Sequence, residues 1–133
     1  MSSYGLVAVL AVRIIIETGE CPASAWRQAV IEVIPNNRLA REKGCPKGAF
    51  LGLCEEGYVK GVAPGRYHRG YKMNKIYALR TVELLISNPE IAGDVEGLWG
   101  KVVSSSSIRH FGQAEVVVEL WNNGYIVGRP QII

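Results

Sequence analysis

The feature that most constrains the fold of this 133-residue chain is the resemblance between its two halves. A shift of 73 residues brings matching residue types together without a gap over the first part of each half, and a shift of 67 does so over the later part. The matched pairs are Tyr4–Tyr77, Leu6–Leu79, Val9–Val82, Glu17–Glu90, Trp26–Trp99, Leu53–Leu120, Gly57–Gly124, Tyr58–Tyr125 and Gly61–Gly128. Their preserved order favours an internal duplication, with repeats at 4–61 and 77–128 joined by residues 62–76.

Each half has the pattern of three helices followed by a short extended tail. Helices are expected at 4–17, from residue 22 and at 46–56, with counterparts at 74–87, after Asp94 and at 108–123. Pro22 suits a first helical turn, Asp94 suits an N-cap, and Gly57 and Gly124 suit left-handed C-terminal caps. The tails have strand-forming residues and could pair as a short two-stranded ribbon. The sequence therefore predicts a mostly α, compact single domain, 1–133, of two pseudo-repeated three-helix units.

The apolar run near the N-terminus and the cysteines bear on location. The run of about 13 apolar residues is interrupted by Arg13 and has no basic segment before it, so we expect a buried helix and no membrane contact. Cys21, Cys45 and Cys54 form no CxxC pair, and an odd number of cysteines is poorly suited to a disulfide framework. These features favour a reducing, cytoplasmic setting.

One face of the first helix is aliphatic where its counterpart is polar. Val7, Leu10 and Ile14 lie three and four residues apart, so they share a helical face. They align with Arg80, Glu83 and Ser87. Either the rest of the chain covers this face, or a second copy covers it in a homodimer.

The middle of the chain is basic, although the whole chain carries only +3. Residues 38–75 contain nine Lys or Arg and three Glu. In residues 62–76, which we call the connection, basic residues alternate with tyrosines. This pattern suits contact with phosphates and stacking on bases, and the alternative is a solvated linker. The predicted partner-binding residues are Arg66, Tyr67, Arg69, Tyr71, Lys72 and Lys75. The partner is either a protein or a nucleic acid.

Cys45 is the one candidate for covalent chemistry. We expect it at a helix N-cap, with Pro46 at the first helical position, where the helix N-terminus and neighbouring lysines would favour the thiolate. A nucleophile also needs a base, and the histidines are His68 and His110. No Cys or His pair has metal-ligand spacing, and no nucleotide-binding motif occurs, so no metal and no cofactor is predicted.

The chain also resembles a family of small uncharacterised bacterial proteins. The resemblance is carried by Tyr4, Leu6 and residues 24–26, by GCPKGAFLGLCEEGYVKGV at 44–62, and by the later segments YALRTVELL and VVVELWNNGYI. Because the family's function is unknown, the resemblance implies a bacterial domain and transfers no site residue. We therefore expect a non-enzymatic, self-associating interaction module that binds a macromolecular partner through its basic middle segment. A nucleic-acid-binding protein and a small cysteine-dependent enzyme using Cys45 remain the alternatives.

Overall fold

The computed structural model describes residues 3–68, 70, 72–103 and 112–128, and it confirms the mostly α fold class. The helices are α1 (Ser3–Thr18), α2 (Pro22–Val33), α3 (Arg38–Arg41), α4 (Gly44–Glu55), α5 (Lys72–Ser87), a 3-10 turn (Pro89–Gly93), α6 (Val95–Val102) and α7 (Gln113–Asn122). Arg69 and Tyr71, which we predicted to bind a partner, and His110, which we considered as a base, lie outside the described residues.

Local signals place most helix ends where the sequence predicts them. The Asp94 carboxylate accepts a hydrogen bond from the Gly97 N–H at 3.0 Å, as an N-cap does. Pro22 is the first residue of α2, after an extended Cys21. The short helix α3, which we did not predict, begins after Asn37, whose side chain accepts from the Ala40 N–H at 3.0 Å.

The two predicted glycine caps have the expected left-handed backbone, with φ of 79° at Gly57 and 76° at Gly124. The residue after each glycine donates its N–H back into the last helical turn. Tyr58 N bonds Leu53 O at 3.1 Å, and Tyr125 N bonds Leu120 O at 2.9 Å. Helices α4 and α7 therefore end in the same hydrogen-bonded turn.

The extended segments after these glycines pair with each other. Val59 and Ile126 form an antiparallel bridge, the Lys60 N–H donates to Tyr125 O at 2.8 Å, and the Val127 N–H donates to Tyr58 O at 3.0 Å. The predicted pairing is confirmed, but within the described residues it is an isolated bridge and not a ribbon. It ties the end of α4 to the end of α7.

Helix α7 lies at the centre of the packing. It contacts α1, α4 and α5, while α1 also packs on α2 and α4 also packs on α5. Its buried residues are Gln113, Ala114, Val116, Val117, Val118 and Leu120. Two aromatic pairs fill the core between helices: Trp26 of α2 with Phe50 of α4, and Tyr77 of α5 with Trp99 of α6.

The chain itself covers Val7, which has no exposed surface, while Leu10 and Ile14 are half-buried against the core; self-association through this face stays a prediction. Two sequence-based expectations about helix starts need correction. Helix α4 begins at Gly44, with Lys43 as its N-cap, so Cys45 is not the cap. Pro46 is tolerated in the first turn of α4 because the N–H groups of a first turn have no partner within the helix. Helix α7 begins after Gly112, whose φ of 91° is not helical, and not at residue 108.

The apolar N-terminal run lies within α1, which packs inside the molecule. Across the part of the chain that the structure describes, no helix has the length and low charge content that crossing a bilayer requires.

Candidate interaction surface

Glu55, at the end of α4, holds the following connection in place. The side-chain Oε1 of Glu55 accepts hydrogen bonds from the N–H groups of Tyr67 at 3.1 Å and His68 at 3.3 Å. The backbone oxygen of Glu55 accepts a hydrogen bond from the Gly65 N–H at 3.3 Å. The side-chain Oε2 of Glu55 pairs with Lys75 of α5 at 2.5 Å. Glu55 therefore joins the end of α4, the connection and the start of α5.

The charges around Glu55 shift its titration. Partial burial opposes its ionisation, but the hydrogen bonds from Lys75 and from the two backbone N–H groups outweigh that effect and lower the pKa of Glu55. In turn, Glu55 and Glu56 outweigh the partial burial of Lys75 and raise its pKa. Lys75 contacts Glu56 at 2.6 Å as well, and its side chain is only 21% exposed. Two carboxylates of its own chain therefore compensate the charge of Lys75, and its partner-binding role stays a prediction.

His68 lies against α4 in this connection. Its Nε2 is buried and has no hydrogen-bond partner among the described residues, and it would lie 3.3 Å from a Cβ placed on Gly48. Burial lowers the pKa of His68, Glu55 acts against that change and Lys75 adds to it. A cysteine nucleophile needs a base beside it, and the pairing of Cys45 with His68 stays a prediction.

The cysteines and the side chains that could ligate a metal were the other candidates for chemistry in the sequence. Cys54 is fully buried, and burial raises the pKa of its thiol. All three cysteines are free thiols. Among the residues that the structure describes, no three His, Cys, Asp or Glu side chains come together in a way that could hold a metal ion.

The tethered connection carries Arg66 and Tyr67 to a basic surface of the molecule. One cavity of about 530 Å³ lies between the start of α2, α4 and the connection. It is lined by Cys21, Ala23, Lys47, Leu51, Arg66 and Tyr67. Two of the predicted partner-binding residues, Arg66 and Tyr67, therefore lie in the same cavity.

A second cavity, of about 450 Å³, adjoins the first through Lys47, which lines both. Its lining is Trp26, Arg27, Val30, Ile31, Arg38, Arg41, Glu42 and Lys47. We call the two cavities together the basic groove. Among the described residues, its lining contains five Lys or Arg side chains and one carboxylate, Glu42.

The single carboxylate does little to neutralise the groove. Glu42 pairs with Arg38 at 3.0 Å, but both side chains are largely exposed, and exposed pairs of this kind contribute little. Arg41 donates to the backbone oxygens of Ile34 at 3.1 Å and Pro35 at 2.6 Å. Those acceptors are neutral, so they orient the guanidinium without cancelling its charge.

Sequence reasoning located part of this surface. The basic segment 38–75 contains Arg38, Arg41 and Lys47, although we did not select them as site residues. Arg27 was missed altogether, because it stands in α2, outside that segment. Lys72, which we did select, is exposed at the start of α5 and does not line either cavity.

We call the bonds that Glu55 accepts from Tyr67, His68 and Lys75 the tether, and we predict the effect of weakening it. Glu55→Gln should lower the hydrogen-exchange protection of the Tyr67 and His68 amides by about tenfold, since bonds to a neutral amide oxygen are weaker than bonds to a carboxylate by about 1–1.5 kcal/mol. Acid should act in the same direction. Because the pKa of Glu55 is lowered on folding, its contribution is complete above the ordinary carboxyl pKa and is lost as the pH falls through the folded value.

Glu56→Gln is the matched control for this prediction. Glu56 also pairs with Lys75 but accepts no bond from the described residues of the connection, so its loss should leave both amides protected. Equal losses in the two variants would mean that the ion pair with Lys75, and not the bonds from Tyr67 and His68, holds the connection.

The chain is therefore a small helical protein with a basic, partly apolar groove between α2, α3 and α4. Comparison with known proteins identifies its family. The chain matches, over residues 1–127, a family described as "Family of unknown function (DUF6979)", and it belongs to that family. This confirms the resemblance to a family of unknown function. No curated protein and no solved structure matches the chain.

Proposed function

We propose that this protein is a non-enzymatic interaction module that binds an anionic macromolecular partner through the basic groove. The observation that carries the proposal is the convergence of five cationic side chains from α2, α3, α4 and the connection on two adjoining cavities. Like charges brought together cost free energy unless a counter-charge compensates them, and a partner would supply it. Lys75, whose charge is compensated within the chain, is the contrasting case.

The alternatives have less support. The cysteine-dependent enzyme needs Cys45 beside a base, and that pairing stays a prediction. Nucleic acid stays an alternative partner, since phosphates would satisfy the same cations. A bacterial source, a cytoplasmic location and a homodimer through the face of Val7, Leu10 and Ile14 stay predictions.

Charge substitutions in the groove test the proposal. Lys47→Ala and Arg66→Ala should each weaken the binding of fluorescein-labelled polyglutamate about three- to tenfold in about 50 mM salt, measured by fluorescence anisotropy. The difference should shrink strongly at about 500 mM salt, because exposed charges are then screened over a few ångströms.

The matched control is Lys60→Ala, which removes an exposed lysine that does not line the groove. Its affinity should equal that of the wild type. If polyglutamate does not bind at low salt, or if Lys60→Ala loses as much affinity as Lys47→Ala, the proposed function is wrong.

We also propose that the two halves are a duplicated unit related by a pseudo-twofold axis. Val59 and Ile126, which pair across the bridge, are equivalent at the shift of 67. The two hydrogen bonds beside this bridge are also equivalent. At the same shift, the donor Lys60 and the acceptor Tyr125 of one bond correspond to the donor Val127 and the acceptor Tyr58 of the other. Likewise α1 packs on α7 as α5 packs on α4. An experimental structure in which the two units fail to superpose would contradict this proposal.

The equivalence extends to the cavities. Ala23 and Leu51 of the basic groove correspond to Glu96 and Val118, and these two residues line a third cavity of about 600 Å³. Three glutamates, Glu96, Glu115 and Glu119, line that cavity, with no Lys or Arg among its described lining residues. In this view, two related grooves have diverged to opposite charge.

A further inference from the structure

We infer that the partner is an acidic, amphipathic peptide segment of another protein, bound in the basic groove with carboxylates on the cations and apolar side chains on the walls. This inference rests on the proposed function and specifies the chemistry of the partner. It follows from three properties of the groove: the apolar residues among its cations, the poor access to its aromatic rings, and the opposite charge of the related cavity.

Apolar side chains are interleaved with the cations throughout the groove. Val30 and Ile31 line the second cavity together with Arg27, and Leu51 lines the first together with Lys47. Val30 and Leu51 are each only 4% exposed, whereas Ile31 is 55% exposed and available to a partner. Exposed aliphatic groups gain free energy only from an apolar partner, which a phosphate backbone does not provide.

The aromatic residues of the groove are poorly placed for stacking on bases. Trp26 is only 2% exposed, and its ring packs on Phe50 at a centroid distance of 5.3 Å. Tyr67 is partly buried, and its hydroxyl donates to Ala63 O at 2.6 Å. Binding of single-stranded nucleic acid relies on accessible ring faces, and the described aromatic residues of the groove offer few of them, which favours a peptide over nucleic acid.

The related cavity predicts the stoichiometry. Its three glutamates repel an acidic peptide, so the duplicated plan should provide one binding site per chain and not two. A partner that recognised only the shared backbone plan would bind twice.

Three labelled probes test the inference by fluorescence anisotropy on the full chain. The first is a 16-residue peptide of Glu and Leu with leucines at helical spacing, the second is the same composition scrambled, and the third is oligo(dT). We expect the amphipathic peptide to bind about tenfold tighter than either of the others, with one site per chain. Ile31→Ser should weaken the binding of the amphipathic peptide about three- to tenfold and leave the binding of oligo(dT) unchanged.

Ile86→Ser is the matched control, since Ile86 is another exposed isoleucine, on α5, that does not line the groove. If oligo(dT) or the scrambled peptide binds as tightly as the amphipathic peptide, or if Ile31→Ser has no effect, the inference is wrong while the proposed function stands. If none of the three probes binds in about 50 mM salt, both are wrong. Two sites per chain would also overturn the inference.

Discussion

Phe50→Ala should destabilise the protein by about 3–5 kcal/mol, the range for deleting a buried aromatic side chain. Phe50 has no exposed surface, and it packs against Trp26, whose indole forms part of the wall of the basic groove. The loss has two sources: the removed apolar contact and the cavity that the surrounding helices cannot fully close. Urea denaturation followed by circular dichroism measures it directly.

Phe50→Leu is the control, because it keeps most of the volume and should cost about 1–1.5 kcal/mol. A loss below about 1 kcal/mol in Phe50→Ala would contradict the packing of α2 on α4 that we describe. The prediction also bears on function. Because Phe50 supports the ring of Trp26, a folded Phe50→Ala protein should bind the amphipathic peptide more weakly even though no charge has changed.

The helix ends were predictable because each depends on a few neighbouring residues. Asp94 caps α6 through its own side chain, and Gly57 and Gly124 adopt the left-handed backbone that ends α4 and α7. Such signals act over three or four residues, so they can be read without knowing the tertiary structure. The start of α4 was misplaced by two residues because Pro46 is compatible with more than one position in a first turn.

The groove was only partly predictable because its residues come together through packing. Lys47 and Lys75 are both lysines of the same basic segment, yet one lines the groove and the other is paired with Glu55 and Glu56. No local pattern distinguishes them. The difference depends on where α5 crosses α4, which is a long-range property of the fold. Arg27 joins the groove for the same reason, through the position of α2 beside α3 and α4.

The crossing of α4 and α5 leads to the second large effect. Gly52→Ala should destabilise the protein by about 2–3 kcal/mol, despite the better helix propensity of alanine. A Cβ on Gly52 would lie 2.6 Å from Lys75 Cγ, 2.7 Å from its Cβ and 2.9 Å from its Cα. These atoms belong to the backbone and the base of the side chain, so α5 itself must move away.

That movement should reach the groove as well. Displacing Lys75 from Glu55 weakens the tether that holds Arg66 and Tyr67 in place, so the Tyr67 and His68 amides should lose protection in Gly52→Ala. Gly100→Ala is the control, since Gly100 also lies inside a helix but has no described atom within 4 Å of a new Cβ. It should stabilise the protein by up to about 1 kcal/mol. If Gly52→Ala were equally stabilising, α4 and α5 could not approach as closely as described, and the position of the tether would have to be revised.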